Sequence, residues 1–492
     1  MDRIELLDSG AVTTEAVKPH AFRWGWVLPL AVSVACGFLA LSTSDAPMRW
    51  FVVYLVGTVG LPVALLLYNA YALQLTAILL SLQAYMCLTL LPGNGTGADA
   101  RGLEIHLTTL LCVVAVTMRW SEIATRGVRL TGTMVAPFLT VMGTLAFATL
   151  LNREHKAGVI MMSAQVQYFL AYLAIMNLVT DQRYARVAIA AILLTVITQS
   201  GVYFVEYATH KTFTLMGEVV DHSQDLLQRH GGLVSTHPSG FAEFMNLVTL
   251  VSVALYLAAP AAGWRRRAAM AAILGTTAIL LTLTRAAWIG FVLGAVMLVA
   301  TGFRRGWLST GAVGTMAVAG LVMVVLFIQP ITGVFMKQHE EDLDERVVLQ
   351  EMALMVIESR PILGVGPGAY PMEFRNYAVD RGFNGYWAFT VHNHYMLRAA
   401  EAGLPGLIAM LWLFWRAWML AWGSMRLRSP VTSRLGLGVA AGMVALFFQF
   451  YFDIGDGSCV HFALWCLFGL LEALRTLEER GEIVGFEDGV AA

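Results

Sequence analysis

Charge is scarce in this chain. Asp, Glu, Lys and Arg make up 13% of its 492 residues, against about 25% in an ordinary soluble domain. The net charge is −1 and there is no basic block, which argues against nucleic acid as a partner. Cysteine is scarce as well. Cys36, Cys87, Cys112, Cys459 and Cys466 sit in or at the edge of apolar runs and form no CxxC pair. They read as small core residues, with no disulfide framework and no thiolate metal site implied. The first 23 residues carry Asp2, Arg3, Glu5, Glu15, Lys18 and Arg23 and no short apolar stretch with a cleavage site. No cleavable signal peptide is expected, and residues 1–23 read as a cytosolic tail. No internal repeat is seen.

Apolar sequence is what the chain has in excess: 58% of it is hydrophobic. Continuous apolar runs of about 18–22 residues recur along almost the whole length, each long enough to cross a hydrocarbon core of about 30 Å as a helix. Alternation, the mark of a membrane barrel, is missing, and in lipid only helices or closed barrels satisfy the backbone. The expected fold class is therefore all-α, a polytopic transmembrane bundle of about 12–14 helices spanning residues 24–475. The segments read as 24–43, 50–68, 71–91, 103–120, 132–151, 158–180, 185–205, 239–260, 268–283, 286–302, 309–328, 395–421, 436–453 and 459–474. The two runs that flank residue 284 also read as one broken hairpin.

Lys and Arg mark the cytosolic loops. With the N-terminus inside, those loops hold Arg119, Arg126 and Arg129; Arg183 and Arg186; Arg265 to Arg267; Arg304 and Arg305; and Arg426, Arg428 and Arg434. The alternate short loops hold only Arg49, Arg101, Arg153 and Lys156. The count of crossings is then even, and residues 476–492 form a second cytosolic tail. Two long loops fall on the outer, periplasmic face, at 206–238 and 329–394. Loops this long in a compact bundle are functional or disordered. The second contains "EDLDERVVLQEMALMVIESRP", which reads as an amphipathic helix with Leu343, Val347, Val348, Met352 and Met355 as its apolar stripe, ended by Arg360-Pro361. "GVGPGAY" follows as a Gly/Pro turn.

The groups able to do chemistry gather at that outer face. Arg285, in "LTLTRAAWIG", stands between two apolar runs. It is either a snorkelling boundary residue or an anion site, since ionisable residues at membrane depth default to function and the guanidinium fork suits phosphate. Arg346 lies on the loop helix, where an arginine is as often a solvated face. Arg229 lies in the first long loop, ahead of His237-Pro238. In "FTVHNHYMLRAAEAGLPG", Asn393 is placed to cap a helix. His392 stands at its mouth as a capping or core residue, a metal ligand, or a base with a pKa of about 6.5. His392 and His394, two apart on a helix, point to nearly opposite sides, and no carboxylate or cysteine stands at ligand spacing, so no metal is expected. Gly364 and Gly366 either form a plain turn or lend N–H groups to a phosphate.

Together "RHGGLVSTHPSGFAEFM", "LTLTRAAWIG", "ERVVLQEMALMVIESRPILGVGPGAY" and "VHNHYMLRAAEAGLPGL" resemble the O-antigen ligase/polymerase family of bacterial membrane glycosyltransferases. The resemblance covers roughly residues 229–410, its last two motifs being the more specific. It implies a multi-pass inner-membrane enzyme that moves a glycan, on the periplasmic face, from an undecaprenyl-pyrophosphate carrier to a sugar hydroxyl of an acceptor glycolipid (ligase) or of a second carrier-linked glycan (polymerase). No cofactor and no metal are implied, and membrane lipids are the other partners. His392 is then the expected base, with Asn393 orienting it or capping the helix. Arg285, Arg346 and Arg229 are the expected pyrophosphate-binding residues, with Gly364 and Gly366 supporting. The family pattern has roughly twelve spans, fewer than the fourteen segments read here. A lipid-linked oligosaccharide flippase or other transporter is the alternative function. It would favour polar residues and broken helices near the midplane, whereas the charges here cluster at one boundary. A structural scaffold is a third reading, and it leaves that cluster unexplained.

Overall fold

The computed structural model describes residues 70–91, 102–213, 219–221, 230–235, 237–258, 262–311, 313–314, 318, 341–373, 390–455 and 457–485. The tail over 1–23, the spans at 24–43 and 50–68, and Arg229 lie outside the described residues, and the run at 309–328 is described only in part.

The described chain is a helix bundle. Its helices are α1 (Tyr71–Ser81), α2 (Leu107–Met118), α3 (Trp120–Arg126), α4 (Val135–Leu151), α5 (His155–Leu178), α6 (Gln182–Thr209), α7 (Pro238–Ala258), α8 (Ala262–Leu281), α9 (Arg285–Arg304), α10 (Glu341–Ser359), α11 (His394–Ser424), α12 (Pro430–Gln449) and α13 (Ser458–Glu479). Among the described residues, seven helices are long and apolar enough to cross a membrane, or eight if α2 and α3, bent by 68°, make one broken span. The chain is thus a multi-pass membrane protein. Large apolar side chains remain exposed on α4, α9 and α11, among them Leu150, Val296, Ile408 and Trp415, as lipid-facing surface requires. Cys87, Cys112, Cys459 and Cys466 are all buried.

Close helix approach in a bilayer needs small residues, because lipid supplies no hydrophobic drive between helices. The sequence meets this with two Gly-x-x-x-Gly pairs. A Cβ on Gly290 or Gly294 of α9 would meet the Ala445 or Ala441 carbonyl of α12 at 2.8 or 2.6 Å. Gly438 and Gly442 of α12 pack likewise on Val251 and Leu247 of α7. The α9–α12 register is therefore antiparallel, and it sets the start of α9 level with the end of α12. Asn246 of α7 locks that level, donating to both Ala287 O at 3.0 Å and Gln449 Oε1 at 2.7 Å.

Several boundaries differ from the sequence reading. The runs at 71–91 and 103–120 are only partly helical. Residues Cys87–Leu91 (β1) and Leu103–His106 (β2) pair as an antiparallel ribbon, and Tyr85 OH bonds Glu104 at 2.7 Å. A short apolar strand and a helix end look alike in hydropathy. A second ribbon, Lys211–Phe213 (β3) with Val219–Asp221 (β4), follows α6, which continues into the loop expected from residue 206. The run at 436–453 ends as helix at Gln449. On α10 the buried stripe is Leu349, Met352, Ala353 and Val356, with Val348 and Met355 flanking. Val347 is exposed, and the side chain of Leu343 lies outside the described residues. The stripe follows a cluster with Val365, Tyr370, Val391, Leu397 and Ala400, so the packing partner, not amphipathicity alone, sets the face.

α11 is broken. Gly403 has φ 68° and ψ −179°, followed by Pro405, which leaves a short segment 394–402 and a span of 405–424. The Gly/Pro turn after α10 docks on this break. Val365 N donates to Ala400 O and Gly366 N to Glu401 O, both at 2.9 Å, and Leu404 N donates to Pro361 O at 2.8 Å. The first two satisfy carbonyls that the end of the 394–402 segment leaves open, and the third an N–H at the start of the next. A Cβ at Gly403 would stand 2.2 Å from Ile362 O, and one at Gly364 2.4 Å from Glu401 backbone.

Gly403→Ala is expected to lower the melting temperature and folded yield of the detergent-purified protein. The left-handed backbone alone costs about 1–3 kcal/mol for a residue with a side chain, before the contact with Ile362. Gly423→Ala, where a Cβ meets nothing within 4 Å, is expected to be neutral. Equal behaviour of the two variants in a thermal-shift assay would contradict the docking argument.

Candidate functional site

Polar groups from two separate stretches, 392–394 and Arg346, meet on the turn between α12 and α13. Asn393 caps α11, its side chain accepting from Tyr395 N and Met396 N at 3.1 Å each. This fixes the backbone on either side of the cap. His394 N donates to Phe450 O at 2.8 Å, and its ring Nδ1 pairs with Ile454 O. His392, just before the cap, is left partly exposed, with Nδ1 3.8 Å from Asp453 Oδ1. The two histidines thus have separate tasks: His394 is buried against Phe450 and ties α11 to the turn, while His392 faces a carboxylate and solvent.

Arg346 reaches the same turn from α10, donating to Phe452 O at 3.2 Å. One of its five N–H groups is thereby used, which anchors the guanidinium one residue from Asp453. Arg285 is the first residue of α9, and the Gly290–Ala445 register and the Asn246 bridge bring that helix start to the level of Gln449, at the mouth of the turn. No acid stands in the first turn of α9. A cation at a helix N-terminus opposes the macrodipole, and together the two form a site suited to an anion. Leu283, with φ 52°, and Trp288 Nε1, which donates to Ile279 O at 3.2 Å, shape the tight α8–α9 connection that sets Arg285 there.

Burial by itself would raise the Asp453 carboxyl. The Ile454 N–H, which donates to it at 2.8 Å, and the nearby His392 ring and Ser239 hydroxyl of α7 outweigh it and hold the group below the usual carboxylate value. The carboxylate is therefore ionised beside His392. It can fix the ring with Nδ1 inward and leave Nε2 outward, an arrangement fit to take a proton and to stabilise the imidazolium that results.

Of the residues singled out in the sequence, the structure brings His392, Asn393, Arg346 and the Arg285 helix start to one end of the bundle. Gly364 and Gly366 lie at φ 62° and 111°. The Gly364 N–H bonds Arg360 O and the Gly366 N–H bonds Glu401 O, so the turn closes against α11 and does not present these amides to an anion. Sequence reasoning missed Asp453, Ser239 and the buried Glu243, which lies beside Gly457. Asp453 sat inside the overlong run 436–453. An acid in "YFDIGDG" at an apolar boundary carried the same signal as Arg285.

Residues 270–411 match a protein-family model described as O-antigen ligase. The match takes in Arg285, Arg346, Gly364, Gly366, His392 and Asn393, and the segment that carries these residues is thus similar to the O-antigen ligase family. No curated protein matches the chain.

Asp453→Asn is expected to lower stability at neutral pH. A carboxyl depressed by folding contributes stability above its unfolded pKa of about 3.9, and that contribution is lost as pH falls through the folded value. Melting curves of wild type and Asp453→Asn in detergent should therefore converge below that value. A constant gap from about pH 7 down to about pH 3 would contradict this linkage.

Proposed function

With residues 270–411 similar to the O-antigen ligase family, we propose that this enzyme transfers a glycan from an undecaprenyl-pyrophosphate carrier to a sugar hydroxyl on the periplasmic face of the inner membrane, as a polysaccharide polymerase or an O-antigen ligase. The observation that carries the reading is the meeting of the His392–Asp453 pair and Arg346 on one turn, with the start of α9 held level with the end of α12 just before it.

That turn lies at the bundle end opposite the arginine-rich loops. At the far end Arg305 donates to Met425 O at 2.7 Å and Arg434 stacks on Trp307 at 3.8 Å. Lys and Arg bias marks such an end as cytosolic, which supports a periplasmic site. In the proposed reaction His392 Nε2 takes the proton of the acceptor hydroxyl. The acceptor oxygen bonds to the anomeric carbon of the donor sugar. The bond from that carbon to the pyrophosphate oxygen breaks, and its electron pair leaves with the carrier diphosphate. Arg285, Arg346 and the α9 dipole meet that charge as it grows, so they stabilise the transition state more than the ground state. Arg229 remains a proposed third cation.

His392→Ala is expected to cut transfer by about 10²-fold or more, and Arg285→Ala by a similar factor, with membrane levels unchanged. The readout is a gel of surface and carrier-linked glycans from deletion cells complemented with each variant. A core bearing a single repeat indicates a polymerase, and uncapped core with long carrier-linked glycan indicates a ligase. Full restoration by well-expressed His392→Ala would end the assignment of the base. A deletion that changes no glycan would end the reading as a whole.

The proposed scheme meets the leaving-group charge with arginine and needs no metal. Transfer in washed membranes is therefore expected to proceed at the same rate with EDTA as without. A loss restored by adding a divalent cation would contradict it.

A further inference from the structure

A cavity opens beside the same turn. It has a volume of about 190 Å³, many times the roughly 10–15 Å³ that a single water requires. Its walls are the N-terminal half of α5, the end of β2, the 368–372 turn, the first turns of α11 and residues 454–461. None of the residues assigned above to proton transfer or to the diphosphate lines it. Ile454, the neighbour of Asp453, does.

The lining has a particular chemistry. Glu104, Glu154 and Glu401 supply three carboxylates against the two cations Lys156 and Arg398, and Arg398 is paired with Glu401 at 2.8 Å. Glu401 is also fixed by Gly368 N at 3.0 Å. An acidic, internally paired wall repels a diphosphate. It suits neutral hydroxyls, which donate to carboxylates and accept from guanidinium or amide. Gln165 adds an amide on α5, and three residues on, the buried Tyr168, stacked with His461 at 5.2 Å and donating to Ser458 at 3.2 Å, makes a rigid part of the lining. Ile160, Met161 and Ala164 add apolar surface on the same helix. Rigid aromatic and aliphatic surface beside fixed polar groups is the make-up of a small-molecule site, and here it matches the alternating C–H and O–H surface of a sugar ring.

We propose that this cavity seats a neutral sugar residue of the acceptor glycan, next to the His392–Asp453 pair. The proposal rests on the transfer reaction described above. It divides the site by charge. The carrier diphosphate lies with the cations, and the acceptor saccharide lies with the carboxylates of the cavity beside the Phe450–Gly455 turn.

The test uses the full chain in lipid nanodiscs. Methyl glucoside and methyl N-acetylglucosaminide are followed by saturation-transfer NMR, and inorganic pyrophosphate by phosphorus line broadening. Wild type is expected to bind at least one glycoside. Ala164→Trp, which fills the cavity, should abolish that signal. Gln165→Ala, a milder change, should weaken it by about fivefold, the loss of one hydrogen bond. Pyrophosphate broadening should survive in both. The proposal is overturned if wild type binds no glycoside, if the glycoside signal is undiminished in the folded variants, or if the variants lose pyrophosphate instead. Arg285→Ala separates the two readings. Loss of pyrophosphate with glycoside retained is the expected pattern, whereas retained pyrophosphate binding counts against the transfer reaction and leaves the sugar cavity standing.

Discussion

Between Phe450 and Gly455 the chain has left one helix and not yet begun the next, so its carbonyls have no helical partners. Bundle ends generally give such groups to water. Here Phe450 O takes the His394 N–H, Phe452 O takes Arg346, Ile454 O takes the His394 ring and Gly455 O takes the His461 ring. Together these four bonds pull three elements onto the turn: the short first segment of α11, through two of them, the loop helix α10, and α13. His392 faces Asp453 because His394, two residues on, is fixed to the same turn at two points. Those bonds add to the cluster around Met352 and Tyr370 and to the docking of the 361–368 turn on α11 in holding the loop helix and the histidine in place.

The turn in turn depends on close packing below it. Three helices, α7, α9 and α12, approach through glycines and are locked by Asn246, which holds Ala287 O and Gln449 Oε1 together. This fixes the height of Arg285 relative to the end of α12. A glycine seam gives no adjustable side chain at the contact, so the register has little freedom to slip. The α9–α12 pairing can therefore hold a cation at a helix N-terminus, where the dipole alone would reject it, and keep that site in place for an anion.

The membrane architecture was plain in the sequence, because long apolar runs are at home only in lipid or in a deep core. Arg285, Arg346, His392 and Asn393 were legible too, each a polar residue where an apolar run begins or a loop ends. The remainder was hidden for identifiable reasons. Asp453 was absorbed into a hydropathy run that overshoots the helix end at Gln449. The β1–β2 ribbon falls in largely apolar sequence that reads as helix. Gly364 and Gly366 were open to two readings, a plain turn or a phosphate cradle, because a Gly/Pro turn has the same composition whether its amides face a ligand or a helix end. Only the tertiary partner, the Ala400–Glu401 end of a broken α11, decides between them. The two motifs "GVGPG" and "AGLPG" are one structural unit, and no spacing along the chain reveals that they meet.

The placement of the pair also bears on turnover. A base that accepts a proton must release it before the next cycle, and an ionised histidine deep in a bilayer would be both costly and isolated. His392 sits at the end of the bundle, its side chain 36% exposed and that of Asp453 22%. The carboxylate is close enough to orient the ring and stabilise its charged form, yet the pair stays within reach of water. In the proposed reaction the proton taken from the acceptor leaves to the aqueous side. Meanwhile the apolar carrier tail remains in lipid, where the exposed faces of α9 and α11 give it a surface to follow. In the proposed reaction the boundary between water and lipid is thus part of the chemistry, and it fits the His392–Asp453 pair standing at a helix end and not among the helices.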